Sequence, residues 1–132
     1  MDIFFQDPSE VPLPPSEVRI RELRAEPWQD GRKVRVYLEV DPFQKRPDAE
    51  IQITNPENEE VATASVIETI TRKMELTMHL RGAKHAGDYI VSAVLFYTEQ
   101  EEPEGEAQGN SEPPRQTTKV VDRATTIFSI ED

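Results

Sequence analysis

Apolar and polar residues alternate over several segments of this chain, a pattern typical of β-strands. The cleanest alternation spans residues 33–40, where the apolar residues share one side: Val34, Val36, Leu38 and Val40. The other side carries Lys33, Arg35, Tyr37 and Glu39. Because successive side chains of a strand point to opposite faces, we expect one face of this strand to be buried and the other to be wet.

Residues 87–97 form the most apolar run of the sequence, and we interpret them as the central strand. The run opens with Gly87-Asp88, is rich in β-branched and aromatic residues, and has apolar side chains at both alternating sets of positions. The other segments are therefore expected to pack around it.

Five further segments complete a predicted set of seven strands. They span residues 18–23, 50–54, 61–67, 73–81 and 120–130. A turn between the first two strands is assigned to Asp30-Gly31, since Asp-Gly readily takes the positive φ of a tight hairpin turn. A helix competes with the strand over residues 57–70, where Glu and Ala are good helix formers, but the many β-branched residues there favour the strand.

Two facing antiparallel sheets bury the apolar stripes of all these strands at once. The predicted fold is therefore all-β, a two-sheet antiparallel sandwich of about seven strands over residues 18–132. Residues 1–17 contain four Pro and are expected to form an extended arm, since Pro lacks the amide donor that a strand ladder needs. In this arm Ile3, Phe4 and Phe5 are either a mobile terminus or an apolar hook that lies on a neighbouring subunit or on the domain's own edge.

Residues 98–119 are of low complexity. Six Glu and no Lys or Arg occur between residues 98 and 114. A segment of this composition buries too little apolar surface to offset its ordering entropy, so we expect a mobile acidic loop. It would connect the central strand to the last strand as the loop of a long hairpin.

Residues 86–93, AGDYIVSA, together with the order of the predicted strands, resemble the immunoglobulin-like and fibronectin type III-like β-sandwiches. The resemblance implies a Greek-key sandwich in which the Tyr89 ring is buried and its hydroxyl bonds an upstream backbone group. The chain departs from the antibody type because it has no Cys pair, and its only Trp, Trp28, lies between the first two strands. We expect Trp28 to close one end of the sandwich, packed by Pro27.

The composition narrows the range of functions. A chain of 132 residues that is 36% hydrophobic suits one domain with a modest core. The absence of Cys excludes disulfides and Cys-based zinc sites, and a formal net charge of −11 opposes the phosphate backbone of nucleic acids. No signal peptide or membrane-spanning run is visible, which favours a cytoplasmic protein with neither a nucleic-acid nor a membrane partner.

No residue pattern indicates catalysis, a metal site or a cofactor. The two His residues, His79 and His85, lie on a solvated strand face and in a loop, without metal-ligand spacing. The five Gly are scattered, so no phosphate-binding loop is present, and the acidic run lacks the ligand order of a calcium loop. We therefore expect a non-enzymatic protein without a cofactor.

One surface is a candidate interaction site. If the first, second and fifth strands share a sheet, as the resemblance implies, seven residues project from its outer face: Arg19, Arg21, Lys33, Arg35, Tyr37, Lys73 and His79. Interleaved Glu39 and Glu75 would make this an ordinary charged face. The alternative is a docking face for an acidic partner, the chain's own acidic loop included.

The sequence thus favours a β-sandwich module that binds an unidentified protein or serves as an accessory domain. Two alternatives stay open. One is self-association through exchange of the arm that carries Ile3, Phe4 and Phe5. The other is carbohydrate or metal-ion binding, for which the candidate aromatic platforms are Tyr37, Phe43 and Trp28.

Overall fold

The computed structural model describes residues 11–82, 86–101 and 115–131, and these residues form seven strands. The strands are β1 (Ile20–Pro27), β2 (Lys33–Val40), β3 (Asp48–Thr54), β4 (Glu60–Val66), β5 (Lys73–His79), β6 (Gly87–Glu101) and β7 (Arg115–Ile130). A 3₁₀ turn, Pro15–Glu17, precedes β1. Within the described ranges no helix is long and apolar enough to cross a membrane.

The strands form two antiparallel sheets, in the orders β1-β2-β5 and β4-β3-β6-β7. The chain crosses from one sheet to the other after β2, β4 and β5. The predicted all-β sandwich of seven strands is confirmed, and so is the strand, rather than a helix, at Glu60–Val66. The first, second and fifth strands share a sheet, as expected.

The core lies between the two sheets. Its largest completely buried side chains include Leu38 on β2, Ile51 and Ile53 on β3, and Leu95 on β6. Buried and half-buried residues alternate strictly along β2, as the pattern of residues 33–40 predicts. Burial of these aliphatic side chains is the main favourable term that holds the two layers together.

β6 is central because it pairs with β3 on one side and β7 on the other. Only one of its faces enters the core, with Tyr89, Val91, Ala93, Leu95 and Tyr97 buried. The residues between them are half-buried or, at Ile90, 39% exposed. The apolar composition of both faces thus does not mean that both are covered.

The β6–β7 hairpin is longer than predicted. The ladder continues past Tyr97 and Lys119 to Glu101 and Arg115, and Lys119 Nζ lies 3.5 Å from Glu99 Oε2. Residues 98–101 and 115–119 are therefore strand rather than mobile loop, because ladder pairing outweighs a polar composition. Residues 102–114 lie outside the described residues, as do Ile3, Phe4, Phe5 and His85.

The described part of the Pro-rich arm is fastened to the domain. The Leu13 amide donates to the Pro42 carbonyl and its own carbonyl accepts from the Gln44 amide, both at 2.9 Å. The Ile20 amide donates to Asp122 Oδ2 at 2.8 Å, which joins β1 to β7 of the opposite sheet. Together these bonds close the end of the sandwich at which β2 ends and β3 begins.

Candidate interaction site

The outer face of the β1-β2-β5 sheet holds five of the seven residues predicted to form an interaction surface. They are Lys33, Arg35, Tyr37, Lys73 and His79. Directly opposite residues of an antiparallel pair share a face, and the ladder sets Lys33 against His79 and Tyr37 against Glu75. For these five residues the alternation gives the right face.

Arg19 and Arg21 lie at the end of this sheet instead. The Arg19 guanidinium donates to the Ser16 and Val18 carbonyls at 2.9 Å. Arg21 Nε donates to Asp41 Oδ1 at 2.5 Å. The ladder has a bulge between Ile20 and Glu22, and a bulge breaks the alternation on which the prediction depended.

Positively and negatively charged side chains contact each other on the outer face. Arg35 Nε lies 3.1 Å from Glu75 Oε1, and Arg24, which the sequence analysis missed, stands over the Tyr37 ring at 4.5 Å. A hydrogen bond to the Tyr37 hydroxyl, followed by the charges of Tyr37 and Glu75, raises the pKa of Arg35.

The charges of this face balance. Its four cations are Arg24, Lys33, Arg35 and Lys73, and its four carboxylates are Glu22, Glu26, Glu39 and Glu75. A face without excess positive charge gives an acidic partner no net attraction. The geometry therefore favours the ordinary charged face over the docking face for an acidic partner.

A second surface is the loop of residues 67–72 between β4 and β5, which we call the isoleucine loop. Ile67 is 69% exposed and Ile70 is 79% exposed, and they are the two most exposed large apolar side chains of the described residues. Thr69, between them, is buried at 4% exposure. The loop thus turns a polar residue inward and two aliphatic residues outward, the reverse of the usual preference.

Hydrogen bonds fix the backbone of this loop. The Thr69 amide donates to the Pro47 carbonyl at 3.0 Å, and the Arg72 carbonyl accepts from the Val40 amide at 2.8 Å. The Thr69 hydroxyl donates to the Thr71 carbonyl at 2.8 Å. These contacts attach the loop to the ends of both sheets.

Asp48, at the first position of β3, anchors the loop. Its carboxylate is buried, with the residue 5% exposed, and accepts from the Glu68 amide at 2.7 Å and from the Thr98 hydroxyl at 2.9 Å. Glu68 has a φ of 46°, in the left-handed region that non-Gly residues rarely take. A residue held there costs about 1–3 kcal/mol, so the surrounding bonds must impose the conformation.

Tyr97 extends the anchor. Its hydroxyl donates to the Lys45 carbonyl at 2.9 Å, and its ring lines a cleft of about 450 Å³ between Lys45, Ile67 and Thr98. Burial, with a further contribution from the Asp48 charge, raises the pKa of Tyr97. The hydroxyl therefore stays protonated at neutral pH and keeps its hydrogen bond to Lys45.

The two aromatic residues assigned structural roles differ in burial. Tyr89 is 2% exposed and stacks on Phe128, with ring centroids 5.1 Å apart, so its ring is buried as expected. Trp28 is 41% exposed and does not close the core. It lies in the hairpin turn between β1 and β2, beyond the ends of both strands.

The described residues contain no group of three or more metal-binding side chains in range of one ion. His79 is exposed on the outer face of β5. No family model matches the chain, and no curated protein is similar to it.

Proposed function

We propose that this protein is a non-enzymatic β-sandwich module that binds another protein through the isoleucine loop. The observation that carries the proposal is the outward position of Ile67 and Ile70 on a loop fixed by the buried Asp48 carboxylate. Exposed single aliphatic residues are ordinary on protein surfaces. Two of them held on one anchored loop are a better indication of a binding element, because the fold carries a local cost to hold them there.

The energetics suit such a role. Transfer of an isoleucine side chain from water into an apolar pocket contributes about 1.5–3 kcal/mol, so the two together contribute about 3–6 kcal/mol. A loop that is already ordered loses little conformational entropy on binding, which leaves more of this energy for affinity. The partner is expected to present an apolar pocket or groove that receives both side chains.

The fold supports a related proposal. The first, second and fifth strands share a sheet, in the order β1-β2-β5, which is the arrangement that the resemblance to immunoglobulin-like and fibronectin type III-like sandwiches implies. We propose membership in that superfamily, whose members often serve as recognition and spacer modules. Fold membership alone assigns no function, so the binding role depends on the loop. The absence of Cys suits a reducing compartment, and we propose the cytoplasm.

Affinity capture with three forms of the protein tests the proposal. The forms are the wild type, the Ile67→Ser/Ile70→Ser double variant and an Ile127→Ser control, since Ile127 is 60% exposed on the outer face of β7. Proteins retained from a lysate of the source cells are quantified by mass spectrometry, and the affinity of the recovered partner is then measured with purified components.

We expect the wild type and the control to retain the same partner and the double variant to lose it. Loss of about 3 kcal/mol corresponds to an affinity about 100-fold weaker for the double variant. Equal affinity for the wild type and the double variant would exclude the isoleucine loop as the binding element.

A further inference from the structure

An open cleft lies at the opposite end of β2 from the isoleucine loop, and we call it the Trp28 cleft. Its volume is about 600 Å³, and it is lined by Glu26, Pro27, Trp28, Gln29, Asp30 and Arg35. This is within the range of about 300–1,000 Å³ typical of small-molecule sites in proteins. The end of β1 and the hairpin turn that follows it supply all but one of the lining residues.

Trp28 is held firmly in this cleft. Its amide donates to the Lys33 carbonyl at 2.9 Å, and its carbonyl accepts from the Gly31 amide at 3.0 Å. Gly31 has a φ of 69°, the left-handed conformation that the turn needs and that glycine takes without strain. These bonds fix the backbone of Trp28, and the residue stays 41% exposed.

One side of the indole ring is already occupied. Lys33 Nζ lies 4.7 Å from the ring centroid, and Lys33 is not among the residues that line the cleft. The cation thus covers one face of the ring. The rest of the indole, which is part of the cleft lining, is an apolar, electron-rich surface open to a ligand.

The other aromatic candidates lack such an open ring. Tyr37 is half-buried with Arg24 4.5 Å from its ring centroid, and Phe43 is half-buried and packs against the core. Of the three aromatic residues that the sequence offers as ligand platforms, Trp28 alone is exposed.

The polar groups around Trp28 favour a neutral ligand. The cleft lining has two carboxylates, Glu26 and Asp30, and one cation, Arg35, and the Lys33 ammonium beside the indole brings the charge of the immediate surroundings to zero. Asp30 Oδ1 accepts from the Arg32 amide at 3.0 Å, and the side chain of Gln29 is exposed. The cleft therefore offers carboxylate oxygens and an amide, which bind hydroxyl groups in both the donor and the acceptor sense.

We propose that the Trp28 cleft binds a neutral saccharide. The C–H face of a pyranose ring would pack on the open side of the indole, and its hydroxyls would bond to Glu26, Gln29 and Asp30. A sugar ring has one apolar face and a polar edge of hydroxyls, and the cleft offers an apolar indole surface with polar side chains beside it. The site is separate from the isoleucine loop, so it adds a second binding activity at the other end of the domain.

The fluorescence of Trp28 reports directly on this cleft, because it is the only Trp of the chain. The full chain is titrated with maltohexaose, cellohexaose, chitohexaose and mannohexaose, and with hexa-lysine as a cationic probe. We expect a saturable change in emission with at least one of the saccharides, with a dissociation constant on the order of 1 mM. No saturable change with any saccharide at about ten times that concentration, or saturation with hexa-lysine alone, would overturn the proposal.

Variants locate the binding. Gln29→Ala keeps the fluorophore and should weaken saccharide binding several-fold, whereas an Arg46→Ala control at the other end of the domain should leave it unchanged. Trp28→Ala is followed by ligand-detected NMR with the same saccharide, after circular dichroism has shown that the strands are retained. Binding that survives both Gln29→Ala and Trp28→Ala undiminished would place the saccharide elsewhere and contradict the proposal.

Discussion

Two pairs of exposed isoleucines are held by this protein in different ways. Ile90 and Ile127 face each other across the β6–β7 ladder, at 39% and 60% exposure. Their outward position follows from strand alternation, and the two side chains cover each other in part. Ile67 and Ile70 lie on a loop that needs a buried carboxylate and a left-handed Glu68 to keep its shape.

The comparison shows that similar outward exposure can have different structural causes. Ile90 and Ile127 are held in place by the β6–β7 ladder alone, which the fold requires in any case. The loop pair requires specific bonds from Asp48, Pro47 and Val40, all from other parts of the chain. This difference is why the proposed binding function is assigned to the loop and not to the sheet face.

The largest effect is expected for Asp48→Ala, which removes the anchor of the loop. The Glu68 amide and the Thr98 hydroxyl lose a charged acceptor, and the free energy of unfolding should fall by about 3 kcal/mol. Urea unfolding followed by circular dichroism measures it.

Asp88→Ala is the matched control, since Asp88 also accepts a side-chain hydrogen bond but is exposed. It should change stability by no more than about 0.5 kcal/mol. Equal losses for the two variants would mean that Asp48 is an ordinary surface carboxylate, and the contrast between the two isoleucine pairs would disappear.

Tyr97→Phe tests the second part of the anchor. Loss of the hydrogen bond to the Lys45 carbonyl should cost about 1 kcal/mol at neutral pH. Burial raises the pKa of Tyr97 above the ordinary value of a tyrosine, so the unfolded chain loses this proton at a lower pH than the folded protein. The contribution of the hydroxyl is therefore complete below that value and is lost as the pH rises through the folded pKa.

The wild type should accordingly lose stability more steeply than Tyr97→Phe above about pH 10. The free energy of unfolding of both proteins is measured from about pH 8 to about pH 11. The difference between the two proteins cancels the contributions of the other groups that titrate in that range. The same dependence of the unfolding free energy on pH for the wild type and Tyr97→Phe would contradict the burial of the Tyr97 hydroxyl.

The smallest effects on stability are expected for serine substitutions in the two isoleucine pairs, and they distinguish one pair from the other. Ile90→Ser/Ile127→Ser should lower the free energy of unfolding by about 1 kcal/mol, because a cross-strand apolar pair is lost. Ile67→Ser/Ile70→Ser should change it by less than about 0.5 kcal/mol, because neither side chain contributes to the core. A larger loss for the loop variant would give its isoleucines a structural role instead.

Much of the fold was predictable because the alternation of residues along each strand records which face is buried. The buried face of β2 can be identified from Val34, Val36, Leu38 and Val40 without knowing which strands β2 pairs with. Strand limits were less predictable, since the composition of residues 98–101 and 115–119 indicates a loop and only the ladder between them makes them strands.

The isoleucine loop was not predictable from the sequence. Asp48 reaches Glu68 across 20 residues and Thr98 across 50 residues, and no spacing rule connects them. The β-branched residues of the loop even favoured continuation of a strand. The bulge near Arg21 and the placement of Arg24 over Tyr37 depend in the same way on a register that becomes visible only in the folded sheet.

Amide hydrogen exchange by NMR at neutral pH tests whether the isoleucine loop is a rigid element held by Asp48. The amides of Glu68 and Thr69 should exchange as slowly as ladder amides of β3 in the wild type, and much faster in Asp48→Ala. Exchange of these two amides at the rate of an unprotected peptide in the wild type would contradict it.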